Sequence, residues 1–252
     1  MRIDKDLAEY ISSLSREARD AVMADIPRFI AARQITKFFH FTSFRNLDSI
    51  AKYGFLGRES LKEKNISAVF TDLFRNDPIL DGICFSISRP NHYMAASKAS
   101  SGHDMVLLEL QNIGDLLTSY NFISSPGNFG SHDLKKKIQN WPESFIGGQG
   151  LMNLFQASAI RERYGIPDFE PTDPRAEIII LEPVPWSFVK KVYFPRDTDN
   201  SVRDKVGQIL RLLPIGTVLE SKVEDVFPSI DWKAPGVVSE YRERQWSESW
   251  DE

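Results

Sequence analysis

The chain has 252 residues, enough for one domain with a sizeable core, and its 42% apolar and 26% charged fractions are those of an ordinary globular protein. A net charge of -4 excludes a general attraction to polyanions, so a nucleic acid would have to meet a local basic patch. The single cysteine, Cys84 in the apolar run Ile83-Cys84-Phe85, excludes an internal disulfide and argues against a cysteine metal site; it reads as a small buried hydrophobe. No run approaches the eighteen or so apolar residues of a membrane span, and the opening Met1-Arg2-Ile3-Asp4-Lys5-Asp6 lacks an apolar signal core. We therefore expect a cytoplasmic protein without membrane contact.

Residues 4 to 33 carry Leu7, Ile11, Leu14, Ala18, Val22, Ile26 and Phe29 at threes and fours, which predicts helix, broken near Pro27. The stretch from Phe38 to Leu56 predicts a short strand and then a helix with Leu47, Ile50 and Ala51 on one face, stopped at Gly54 and capped by Thr42 or Ser43. His40 sits among aromatics, where a satisfied core histidine and a ligand-holding one are both open readings. Residues 58 to 82 read as a long polar loop, followed by an apolar strand around Ile83-Cys84-Phe85 and a helix begun by Pro90 and Asn91. Met105 to Leu110 predicts a strand with a short helix after it. Asn121 to Ser131 reads as a loop rich in Ser, Gly and Asn.

A basic run, Lys135, Lys136 and Lys137, stands close to Trp141. Lysines beside an aromatic suit phosphate contacts and base stacking, although a solvated helix face gives the same pattern. Residues 151 to 160 predict an apolar helix, and Arg161, Arg163, Tyr164 and Phe169 follow it. Ile178 to Leu181 reads as a strand buried on both faces and bounded by Pro174 and Pro183. Glu177 opens that strand. A solvated edge glutamate and a carboxylate facing a cleft are the two readings, since a buried ion needs partners. Phe188 to Phe194 predicts another strand, residues 200 to 213 an amphipathic helix, and the tail from Ser239 is charged with Trp246 and Trp250.

Three blocks carry a family likeness. His40-Phe41-Thr42 with Asn46-Leu47, Ile50 and Gly54-Phe55-Leu56 is the first. Arg75-Asn76-Asp77 with Gly82 to Ser88, Pro90-Asn91 and Met94 is the second. Pro171-Thr172-Asp173-Pro174-Arg175-Ala176-Glu177 running into Pro183-Val184-Pro185 is the third. In this order they resemble the DarT family of ADP-ribosyltransferases, bacterial toxins that attach ADP-ribose to nucleic-acid bases. The aromatics the family carries after the methionine are replaced here by Ala95-Ala96-Ser97-Lys98.

The resemblance implies an α+β, ADP-ribosyltransferase-like fold in which two small twisted sheets form an NAD cleft with helices outside. It implies Glu177 as the catalytic acid under the ribose, Arg75 as a second catalytic group, and His40, Thr42, Asn46, Gly54, Ser86 and Tyr93 against NAD, with His92 a weaker candidate. NAD is the implied co-substrate, without a metal. Residues 58 to 82 would cover NAD. The loop before the acid would select the substrate, with Lys135, Lys136, Lys137, Trp141, Arg161 and Arg163 toward nucleic acid.

Such chemistry breaks a glycosidic bond through an oxocarbenium-like state, which a carboxylate stabilises. We expect a helical element at 1–34, a catalytic core at 35–196, and a C-terminal helix, strand and tail at 197–252. The leading functional expectation is ADP-ribose transfer to a base of single-stranded DNA, with RNA as the alternative acceptor. Implied partners are NAD, the acceptor strand and a neutralising antitoxin, of macrodomain or other type. A non-catalytic binding module and an NAD hydrolase without acceptor are the competing classes.

Overall fold

Ile178, Ile179 and Ile180 are each fully buried, and they set the centre of the molecule. A run apolar on both faces must be covered on both, so it takes an interior place in a sheet. The computed structural model describes residues 25–70, 81–91, 105–127 and 142–193, with isolated helical positions at 137, 200, 204, 207 and 208. Within these, six strands form one sheet: β1 (Phe38–Ser43), β2 (Ile83–Ile87), β3 (Met105–Leu110), β4 (Phe122–Ser125), β5 (Glu177–Ile180) and β6 (Val189–Tyr193). Their spatial order is β4-β5-β2-β1-β3-β6, and each neighbouring pair is antiparallel.

The middle pairing is short. β1 meets β2 at two rungs only, Phe38 with Ile87 and Phe39 with Ser86, whereas β1 pairs with β3 along its whole length and β2 pairs with β5 from Ile83 to Ser86. The sheet is therefore continuous but forked, two three-stranded halves joined at one end. The two small sheets expected from the sequence are these halves, and the mixed helix-and-sheet class is as expected.

One face of the sheet builds the main core. Phe38, Ile83, Phe85, Ile87, Val106, Leu108, Leu110, Phe122, Ile178 and Ile180 pack there with Ile26, Ile30, Leu47, Ile50, Leu116 and Leu117 from helices Ile26–Ala32, Leu47–Tyr53 and Ile113–Ser119. Burying three isoleucines contributes about 6 kcal/mol. That offsets the several kcal/mol the adjoining carboxylate of Glu177 loses on leaving water.

Pro27 lies in the first turn of the Ile26–Ala32 helix, where a missing N–H costs nothing, so it starts a helix here. The Leu47–Tyr53 helix ends at Gly54 at φ 77°, and a Cβ on Gly54 would stand 2.4 Å from the Val184 carbonyl oxygen. Only glycine fits that approach.

Three sequence expectations are corrected. Part of the supposed loop from 58 is helix, Arg58–Glu63, because Arg-Glu-Ser-Leu-Lys-Glu consists largely of good helix formers. Phe122–Ser125, read as loop, is the edge strand β4. Phe122 and Ile123 are β-formers that pair with Ile180 and Ile179, and this outweighs the polar residues around them. The apolar helix expected at 151 to 160 is two helices, Gly147–Asn153 and Ser158–Tyr164, parted at Ala157, whose φ is 66°. Most of the expected N-terminal helix and of the 200–213 helix, and all of the tail, lie outside the described residues.

Candidate active site

The candidate site is built around the fork. Where β1 leaves β2, the carbonyl of the half-buried Cys84 is met from the β1 side by a side chain, since a carbonyl out of water needs a donor. That side chain is the imidazole of His40, its Nδ1 lying 2.9 Å from the Cys84 oxygen. The ring is edge-on to Phe55 at 5.1 Å and tilted against Phe85 at 5.6 Å. His40, Phe41 and Cys84 are half-buried within strands that are otherwise closed, so the gap opens to solvent.

Glu177 lies across β2 from this gap. Its register partners are Ser86 on β2 and Ser125 on β4, and Ser86 in turn pairs with Phe39. Residues opposed in this way share a face, so Phe39, Ser86, Glu177 and Ser125 form one row. Glu177 is 7% exposed and flanked by two hydroxyl-bearing residues. The Ser86 hydroxyl accepts the backbone N–H of Asn91 at 3.1 Å, and the Ser125 hydroxyl donates to the Gly127 carbonyl at 2.7 Å.

His40 and Glu177 stand on strands with β2 between them. Strand alternation sends their side chains to opposite sides of the sheet plane, and the His40 ring lies against the β2 backbone in the gap. The register places a row at Glu177 and a fork at His40, because β1 is turned away from β2 after Phe39.

The turn that delivers Glu177 follows directly from its residues. Asp173-Pro174-Arg175-Ala176 is a β-turn closed by the Ala176 N–H on the Asp173 carbonyl at 3.0 Å. Proline pre-sets the second position, and the Asp173 carboxylate accepts the Arg175 N–H at 2.8 Å. The Arg175 guanidinium forks onto the same carboxylate at 3.1 and 2.8 Å. Thr172 donates its hydroxyl to the Gln156 carbonyl at 2.5 Å and its N–H to Leu154. Much of the third block is thus the structure that launches β5.

The other expected site residues are placed as follows. The Asn46 side chain gives its amide hydrogens to Thr42 Oγ1 and the Val69 carbonyl, both at 2.9 Å, and accepts the Val69 N–H at 2.7 Å. Asn46 and Thr42 thereby brace the segment before residue 70. Gly54 meets the Val184 backbone. Arg161 is 8% exposed, so its expected contact with nucleic acid is corrected: it is a buried structural cation. Burial lowers its pKa from the ordinary value, the Arg33 charge adds to this, and Asp168 and Glu170 oppose it.

Arg163 is exposed and its guanidinium stands over Tyr164 at 5.6 Å. Lys137 is exposed, and Arg75, His92, Tyr93, Lys135, Lys136 and Trp141 lie outside the described residues. From sequence, Ser125 reads only as part of a loop, and Phe55 stands in the first block without a role. Phe122-Ile123 beside two serines is the one signal of a strand that would have exposed Ser125. Among the described residues no group of three or more His, Cys, Asp or Glu is placed to hold a metal ion, and no helix is long and apolar enough to cross a membrane.

No family model and no curated protein matches this chain. Solved structures do. DarT from Thermus sp. 2.9 in complex with carba-NAD+ is 17% identical at a TM-score of 0.49, over 75% of this chain and 96% of that one. The same protein in complex with ADP-ribosylated ssDNA is 13% identical at 0.45, over 75% and 95%. DarTG from Thermosipho africanus in complex with ADP-ribose is 12% identical at 0.47, over 74% of this chain and 50% of that one, so the chain spans about half the length of that protein.

Proposed function

We propose that the chain is an NAD-dependent ADP-ribosyltransferase whose acceptor is a base of single-stranded DNA. The observation that carries this reading is Glu177, a buried carboxylate at the mouth of β5, in one row with Ser86 and Ser125 and beside an open fork in the sheet. A buried carboxylate at the head of a strand, next to an opening in the sheet, is what an oxocarbenium-like ribose calls for. The bond that breaks joins the ribose C1′ to nicotinamide, which leaves with the electron pair. A ring or exocyclic nitrogen of the base attacks C1′, and its proton passes to Glu177 or water.

In this scheme Ser86 and Ser125 hold the flanks of the carboxylate. The half-buried ring of His40 gives the fork a polar wall, backed by the buried ring of Phe55. The Thr42–Asn46–Val69 bonds hold the segment that leads toward Arg75. A base-modifying enzyme endangers its own host, so the reading implies a neutralising protein partner. The experiment is mass spectrometry of matched DNA and RNA oligonucleotide libraries incubated with NAD. We expect ADP-ribose on single-stranded DNA. Adducts confined to RNA would change the acceptor, and none on either would refute the reading.

A further inference from the structure

Three rings from three parts of the chain meet at the fork. His40 lies edge-on to Phe55 at 5.1 Å and tilted to Phe85 at 5.6 Å, and Phe55 is edge-on to Phe85 at 5.5 Å. His40 belongs to β1 and Phe85 to β2, but Phe55 belongs to neither strand. It follows the Leu47–Tyr53 helix and is held by the stretch that leaves β5. Its N–H donates to the Val184 carbonyl at 2.7 Å, and the Val184 N–H donates to the Phe55 carbonyl at 3.1 Å. Gly54 lets the two backbones come this close. Phe55 and Phe85 are both fully buried, whereas the His40 ring that touches them is half-buried.

The hydrogen bond at the fork fixes more than the direction of the imidazole. A carbonyl oxygen only accepts, so the His40 Nδ1, 2.9 Å from the Cys84 oxygen, carries the hydrogen, and in the neutral ring Nε2 carries a lone pair. In water a neutral imidazole favours the opposite arrangement, with the hydrogen on Nε2. Keeping the Nδ1–H form therefore requires the ring to stay in line with the Cys84 carbonyl, and the two phenyl rings against it restrict its rotation. An aliphatic side chain could fill the same space but would leave the imidazole room to turn. We propose that Phe55 is a positioning residue that holds His40 in its Nδ1–H form, so that Nε2 meets NAD as an acceptor. It then suits a donor group of the dinucleotide, a hydroxyl or an amide N–H, and offers nothing to a phosphate. Because Phe55 is fastened to Val184, just beyond β5, the same contact ties the histidine to the strand that carries Glu177. This deepens the transfer reading and rests on it for the identity of the ligand.

The test is long-range proton–nitrogen correlation NMR on the full chain at about pH 8, above the ordinary histidine range. His40→Gln assigns the His40 signals among the four histidines. Wild type should show Nδ1 protonated and Nε2 bare, and hydrogen on Nε2 in wild type overturns the proposal. In Phe55→Leu the two forms should mix, with Nε2–H in excess; Phe55→Met, closer in volume, serves if leucine folds poorly. NAD affinity by calorimetry should fall about fivefold, since the freedom of one more side chain is then lost on binding. The oligonucleotide KM should stay within about twofold of wild type. A Phe55 that served only the core would lower Tm and leave the tautomer as it was. A Phe55 variant with the wild-type tautomer, or with NAD and oligonucleotide binding weakened alike, therefore overturns the proposal. The NMR measurement needs no substrate, so it decides the positioning claim even if wild-type protein neither binds NAD nor modifies an oligonucleotide, results that would sink the transfer reading alone.

Discussion

Asn46→Ala tests whether the first sequence block is a brace. The side chain makes three hydrogen bonds, to Thr42 Oγ1 and to both backbone groups of Val69, and is itself buried. A neutral hydrogen bond contributes about 1 kcal/mol net, so the upper limit is about 3 kcal/mol. Val69 is 36% exposed, and water can take over part of its two bonds, which brings the expected loss to about 2 kcal/mol. For a chain of this length that is a fall in Tm of about 4 to 8 °C.

Asn46→Asp keeps the acceptor for the Val69 N–H but loses both donors and sets a carboxylate against the Val69 carbonyl. It should do no better than alanine at neutral pH. Thermal unfolding followed by circular dichroism measures both variants, and limited proteolysis should show new cleavage between residues 64 and 70. If Asn46→Ala melts within 1 °C of wild type and resists protease equally, the bracing argument is wrong.

Two further substitutions probe the frame around the site. Gly54→Ala places a Cβ 2.4 Å from the Val184 oxygen at a positive φ, and should cost about 3 kcal/mol or more, read as a large drop in Tm or in soluble yield. Tyr193→Phe removes the hydroxyl that donates to Glu109 at 2.5 Å and leaves that buried carboxylate with Lys190 at 3.8 Å. We expect a loss of about 1.5 to 3 kcal/mol in urea unfolding, and a loss below 0.5 kcal/mol would contradict the assignment.

Where a stretch obeys one strong local rule, the sequence foretold it. Ile178 to Ile180 is such a stretch, as is the strand-cap-helix from Phe38 to Gly54, with the Ser43 hydroxyl accepting from the Arg45 N–H at 3.3 Å. Glu177 at the head of its strand was legible because a carboxylate beside three isoleucines breaks the pattern. β4 was not legible, since Ser124 and Ser125 acquire their meaning only from Ile178 and Glu177 opposite them, more than fifty residues away. The fork could not be read either: it depends on where β1 stops pairing with β2, and nothing in Phe-Phe-His-Phe-Thr-Ser says so. Arg161 looked like a surface cation because its partners are backbone carbonyls, which have no signature in sequence. For Thr172 and Asp173 the block was recognised while its work in the turn became visible only in three dimensions.

The most direct measurement compares wild type and Glu177→Gln under single turnover with NAD and a single-stranded DNA oligonucleotide, with NAD affinity measured alongside by calorimetry. Glutamine keeps the shape and removes the charge. The account predicts ADP-ribose transfer slowed at least ~100-fold with NAD affinity little changed, because the charge acts on the transition state more than on the bound ground state. Transfer by Glu177→Gln at the wild-type rate would contradict it.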